Sequence, residues 1–197
     1  MLPMAVIGLP AIKRAYALIS ASSHVRRTPL LSGFELGFDG SRSVRLKLES
    51  LQRTGSFKVR GMLNMFSSDA NIAANGAITM SAGNAGRSFA TLCAKLNVSG
   101  TVVMPDSVPM ANVRAIESLG SSVIRVPGPT LLDRTDAIVR ERGVTLVHPF
   151  DDPALIAGHA SVGIDFIYRY ILCESCSRFD LLPLIYFHIF SFLKGWH

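Results

Sequence analysis

The sequence predicts an α/β protein built on a four-stranded parallel sheet, and three observations predict it. Short β-branched or apolar runs alternate with helix-length amphipathic segments between Ala77 and Phe150, glycines punctuate the alternation, and a glycine-containing turn stands where the first run gives way to a helix. The runs at 78–80, 101–104, 122–126 and 144–147 have the length of buried strands. Between them, 84–96 places Phe89, Leu92, Cys93 and Leu96 on one helical face, and 109–119 does the same with Val113, Ile116 and Leu119. The third helix, 131–142, follows Thr130, with Asp133 three residues on as a capping box. Gly100, Gly120 and Gly143 stand where these helices should stop. Strand and helix repeated three times imply right-handed crossovers and a parallel sheet, which binds ligands at the carboxyl ends of its strands. Upstream, 44–48 reads as a strand and 56–65 as the opening of a helix.

Composition excludes several classes. With 197 residues, 49% of them apolar, the chain can form a packed core and is neither disordered nor collagenous. Its net charge of +6 comes from scattered basic residues, ten of the twenty within the first sixty positions, so small anions rather than nucleic acid are the expected partners. Residues 1–11 carry no Lys or Arg ahead of their apolar stretch, a poor secretory signal, and a cytoplasmic address is expected. Three cysteines, Cys93, Cys173 and Cys176, suit reduced thiols better than disulfides.

After Asp165 the composition changes: residues 167–197 hold eight of the sixteen aromatic residues and five charges. The apolar stretch 181–193 contains Pro183 and is shorter than the roughly 20 residues that span a bilayer, so a membrane role is not expected. Cys173 and Cys176 have zinc-pair spacing, but His188 and His197 follow at wide intervals, and no metal site is expected. Asp151 and Asp152 before Pro153 read as a turn and helix start, His148 and His159 as turn or core-edge residues, and Arg60 as the structural partner of a carboxylate such as Glu49.

Two local sequences could carry chemistry. Ser81-Ala82-Gly83-Asn84-Ala85-Gly86 is a strand-to-helix turn whose backbone N–H groups can cradle a carboxylate or phosphate, although glycine-rich turns of this kind also serve simple packing. Thr54-Gly55-Ser56-Phe57-Lys58-Val59-Arg60-Gly61 places a lysine at a helix start. Such a lysine is commonly a solvated surface charge; desolvated near other cations, it becomes an amine that condenses with a carbonyl or acts as a base.

Together with Arg45-Leu46-Lys47-Leu48-Glu49, Thr28-Pro29-Leu30, Val103-Met104-Pro105 and the stretch from His148-Pro149-Phe150 to Ile156-Ala157-Gly158-His159, these two motifs resemble the pyridoxal-phosphate enzymes of the tryptophan-synthase-β fold type, and within them the threonine/serine dehydratases. The resemblance covers about residues 10–165. It implies a three-layer parallel-sheet fold (fold type II) with 1–76 as the first part of a large domain, 77–150 as a complete small domain, 151–166 as the return into an incomplete large domain, and 167–197 as a divergent apolar tail. It also implies the cofactor pyridoxal 5'-phosphate, with Lys58 forming the Schiff base and later taking the substrate Cα proton. Asn84 would hydrogen-bond the cofactor's phenolic oxygen, Phe57 would pack near its ring, and Ser81 with the N–H groups of Gly83, Asn84 and Ala85 would hold the substrate carboxylate.

Ala82 stands where similar serine racemases carry a hydroxyl that serves the second face of the substrate, so the resemblance implies deamination of L-threonine or L-serine to a 2-oxo acid and ammonia rather than racemisation. The family pattern continues with a glycine-rich phosphate loop and a late Ser, Thr or Cys opposite the pyridine nitrogen, whereas one glycine, Gly195, follows Phe166 here. The chain therefore reads as truncated. The alternative expectation is a catalytically silent fragment that acts by associating with a full-length relative, and a homo-oligomer is also open.

Overall fold

The structure, a computed structural model, describes residues 7–32, 37 and 44–172. Helix α1 (Leu9–Ala21) opens it, followed by an antiparallel pair, β1 (Leu30–Ser32) and β2 (Arg45–Lys47), in which Leu30 faces Lys47 and Ser32 faces Arg45. A single 3-10 turn over Glu49–Leu51 leads to α2 (Lys58–Ser68) and the short α3 (Ala70–Asn75), which Asp69 caps by accepting from the Asn71 N–H.

The alternating unit then runs β3 (Ala77–Met80), α4 (Asn84–Leu96), β4 (Gly100–Pro105), α5 (Met110–Glu117), β5 (Ser122–Val126), α6 (Leu131–Arg142) and β6 (Thr145–Leu146). Its four strands form one parallel sheet in the order β5-β4-β3-β6, as the sequence predicts. Strand periodicity divides the two faces. Ala77, Val102 and Met104 join the core beneath α4 and α5, while Ile78 and Val103 join Ile138 of α6 on the other side. Burying Phe89 or Leu92, each with no exposed surface, contributes about 1.5–3 kcal/mol.

The last helix, α7 (Pro153–Leu172), packs on both α2 and α1. Asp152 caps it, its Oδ1 accepting from the Leu155 N–H at 2.8 Å, and His148 closes the preceding turn by accepting from the Asp151 N–H at 2.8 Å. The crossing of α2 and α7 is tight. A Cβ on Gly158 would stand 2.7 Å from both the Arg60 carbonyl oxygen and the Gly61 Cα, and one on Gly61 would stand 2.3 Å from His159 Nε2. Among the described residues no helix is long and apolar enough to cross a membrane, and no three His, Cys, Asp or Glu are placed to hold a metal ion.

Several expectations change. Helix α4 ends at Asn97, which takes the left-handed conformation (φ 55°) that an asparagine tolerates, and not at Gly100. Gly100 is instead the first residue of β4, where a Cβ would meet Cys93 Sγ at 2.6 Å. Thr130 does not cap α6: it lies in a 3-10 turn, and its hydroxyl donates back to the Pro127 carbonyl at 2.9 Å. Leu96 is 39% exposed rather than buried with Phe89, Leu92 and Cys93. Helix α2 begins at Lys58, two residues later than expected, and α7 carries straight through the expected start of the tail at 167. Cys173, Cys176, His188, His197 and the stretch 181–193 lie outside the described residues.

Candidate functional site

Lys58 is the first residue of α2, and the loop before it is shaped by Gly55. That glycine adopts φ 77°, where an L side chain is strained, and its N–H donates to the Gln52 carbonyl at 2.9 Å. The Ser56 hydroxyl then accepts from the Lys58 N–H at 3.4 Å. The Lys58 side chain is half-buried, with Nζ 5.1 Å from the centre of the Phe57 ring and no ion pair or hydrogen bond to any described residue. Burial lowers its amine below the ordinary lysine range.

The Ser81–Gly86 turn leaves the carboxyl end of β3. The Ser81 N–H donates to the Val103 carbonyl, and the Ser81 hydroxyl accepts from the N–H groups of Gly83 at 3.3 Å and Gly86 at 3.0 Å. Gly86 is required here, since a Cβ would stand 2.9 Å from the Ser81 carbonyl oxygen. The Gly83 N–H thus turns inward. The N–H groups of Asn84 and Ala85, at the positive end of α4, have no acceptor among the described residues. Asn84 is exposed and Ala85 buried.

One hydrogen bond ties the two motifs together: the Ser88 hydroxyl, one turn into α4, donates to Thr54 Oγ1 at 3.1 Å, and both residues are buried. Helices α2 and α4 pack along each other, with Phe66 and Phe89 in edge contact at 5.7 Å. The amine and the turn are therefore held by one packed unit.

Behind the amine lies a buried ion cluster. Arg60 Nε and Nη2 donate to the two oxygens of Glu49, each at 2.8 Å, and Nη2 also reaches Asp165 Oδ2 at 3.0 Å. Lys47 Nζ sits 2.7 Å from the same Asp165 oxygen and donates to the Thr28 carbonyl and hydroxyl. Burial pushes the Glu49 and Asp165 carboxyls up, but their hydrogen bonds and the facing cations bring both below the usual carboxylate range. The contrast between the two lysines is chemical. Lys47 is sequestered by an anion and Lys58 is not.

Sequence reasoning named Glu49 as the carboxylate for Arg60 and missed three residues. Lys47 stands two positions before Glu49 in an alternating run, a spacing that puts both on one face of an extended chain; that signal was readable. Asp165, 105 residues from Arg60, carried none. Nor did Asn112 of α5, whose Nδ2 donates to the Ala82 carbonyl at 3.3 Å and steadies the outer side of the turn.

Comparison with known proteins bears on the family and the fold. Residues 21–177 match the family described as pyridoxal-phosphate dependent enzyme. The L-threonine ammonia-lyase of Geobacter sulfurreducens is 39% identical over 147 residues, 73% of this chain and 36% of that protein. The processed form of threonine deaminase isoform 2 from Solanum lycopersicum superposes with a TM-score of 0.71 at 26% identity, covering 82% of this chain and 46% of that one. The serine racemase of Dictyostelium discoideum superposes with a TM-score of 0.75 at 28% identity, covering 83% and 53%. The chain thus spans about half, or less, of the length of the proteins it resembles. The parallel sheet, the lysine at the start of α2 and the match over most of the sequence place the chain in the family of pyridoxal-phosphate-dependent enzymes of fold type II.

Proposed function

We propose that this chain takes part in the deamination of a small hydroxy-amino acid, L-threonine or L-serine, to a 2-oxo acid and ammonia. The observation that carries the reading is the Lys58 amine: half-buried, unpaired among the described residues, lowered by burial, and tied through Thr54 and Ser88 to a turn with free N–H donors. An amine in that condition fits the aldehyde of pyridoxal 5'-phosphate, because only its neutral form condenses with a carbonyl. Burial lowers Lys47 as well, but Asp165 and Thr28 engage its amine.

In this reading Lys58 Nζ would hold the cofactor covalently, the exposed Asn84 amide would face its phenolic oxygen, and Phe57 would pack beside its ring. The bound cofactor supplies an electron sink for the substrate Cα. Lys58 Nζ, released when the substrate amine takes its place on the cofactor, would take the Cα proton, while the N–H groups of Asn84 and Ala85, with the Ser81 segment behind them, would hold the substrate carboxylate and so fix the direction of the Cα–H bond. Ala82, exposed at the turn, has no proton to exchange on the opposite face, which supports deamination over racemisation. The reading includes the domain division, 77–150 as the smaller unit and 1–76 with 151–166 as the larger, supported by the packing of α7 on α1 and α2. It also includes a cytoplasmic address, supported by the buried free thiol of Cys93.

The test is to add pyridoxal phosphate to the full chain, reduce with borohydride, and map the adduct. Modification of Lys58, absent in Lys58→Ala, with ammonia released from threonine or serine, is the expected result. Equal labelling of wild type and variant overturns it. An adduct on Lys58 without ammonia release replaces it with the reading of a silent chain that acts by associating with a longer relative.

A further inference from the structure

We infer that His159 of α7 is a positioning residue that aims the Lys58 amine, acting through the Phe57 ring; the inference rests on the role proposed for Lys58. The imidazole occupies the space that Gly61 leaves open in the first turn of α2, with Nε2 and Cδ2 2.3 and 2.4 Å from where a Gly61 Cβ would be. Its ring meets the Phe57 ring edge-on, centroids 5.0 Å apart at 74°, and Phe57 is the ring over which Lys58 Nζ lies at 5.1 Å. One side chain thus packs against residues 57 and 61, on either side of Lys58 at the start of the helix that carries the amine.

Volume alone does not account for this choice. His159 is 5% exposed, and its Nε2 has no hydrogen-bond partner among the described residues. A buried polar nitrogen left unpaired costs stability, and a leucine would fill the same space without that cost. What a leucine could not supply is the flat ring set edge-on against Phe57. Nε2 faces the α2 backbone at Gly61, so the ring has no path for proton transfer to the amine and its action is on position.

The charges around the ring are few. The Lys58 ammonium bears on it from α2, Arg60 of that helix is turned to Glu49, and Asp165 of α7 is engaged by Lys47 and Arg60. Burial and the nearby ammonium keep the imidazole neutral, its pKa lowered to about 3.

The test reads the Lys58 amine directly in the full chain without cofactor. The pH dependence of its reductive methylation by formaldehyde and cyanoborohydride is followed by peptide mass spectrometry, with the guanidinium-unfolded chain as reference. In wild type, Lys58 should titrate below the unfolded reference. In His159→Leu its midpoint should rise toward the reference, with the neutral fraction at pH 8 falling about threefold or more, as a shift of half a pH unit requires. A folded His159→Leu protein whose Lys58 titrates as in wild type overturns the inference, whatever its melting temperature. Should that variant not fold, Phe57→Leu removes the intervening ring: a raised midpoint supports the inference and an unchanged one overturns it. Failure of the cofactor to add to Lys58 would remove the proposed function yet leave this titration readable, so the two failures are distinct.

Discussion

Arg60 and Glu49 form a two-point ion pair, both hydrogen bonds 2.8 Å, with the arginine side chain 2% exposed and the glutamate 11%. Removing Glu49 takes both of these bonds from Arg60 and leaves two buried cations, Arg60 and Lys47, to share Asp165. Glu49→Ala is therefore expected to cost about 3–5 kcal/mol in denaturant unfolding. The double replacement Glu49→Leu with Arg60→Met should cost clearly less than the two single changes added together, because no orphan charge remains.

Gly158→Ala should destabilise the protein although alanine is the better helix former by about 1 kcal/mol. Its Cβ would meet backbone atoms of α2 at 2.7 Å, and backbone cannot rotate away. The expected loss is about 1–3 kcal/mol, read as a lower thermal midpoint. Ala substituted for the open-lying Gly83, where a Cβ meets nothing within 4 Å, provides the contrast.

Lys58→Met should raise the thermal midpoint near pH 7. The folded state holds this ammonium against a desolvation cost, and burial lowers its pKa relative to the unfolded chain. The unfolded state therefore binds more protons in the window between the folded and unfolded values. Wild-type stability rises with pH through that window, and the advantage of the methionine variant shrinks there. Parallel melts at pH 7, 9 and 10.5 check the sign. An advantage that grows with pH would show that the amine is not held at a cost.

Acidification should weaken the fold partly through His159. Its folded pKa, about 3, lies below the ordinary 6.5, so the unfolded chain takes up the proton first as pH falls. Each pH unit lost below 6.5 moves the unfolding equilibrium by up to tenfold from this residue, until the folded value is reached. His148, also lowered by burial, contributes with the same sign in wild type and variant alike. Urea unfolding of wild type and His159→Gln between pH 6.5 and 5 isolates the difference; equal slopes for the two would overturn the assignment.

Legibility in the sequence followed locality. The strands at 78–80 and 122–126 and the helix at 84–96 were readable because a buried face imposes its period on nearby residues, and Ser122–Val126 and Asn84–Leu96 form as expected. The Arg60–Glu49 pair was named as an example of a structural ion pair, and it forms. Helix α1 was not, since its face is matched chiefly by α7, far along the chain. The same holds for Asp165, and for the imidazole fitted against Gly61, whose meaning depends on a crossing that no local pattern encodes. The stop of α4 and the start of α6 were misread because a left-handed Asn97 and a 3-10 turn ending at Thr130 replaced the commoner devices. For the site, the residue types were legible and their tie was not: the Thr54–Ser88 hydrogen bond spans 34 residues.

Asp165 neutralises Lys47 and Arg60 from a helix made long after either. A ribosome that has released the antiparallel pair and α2 has emitted two cations sharing Glu49 as their one carboxylate in the cluster, and the second arrives only with the last described helix. Until then the N-terminal half has reason to stay loosely associated during synthesis, and nascent chains halted near residue 150 should be cut readily around Arg60 while those halted well past α7 resist.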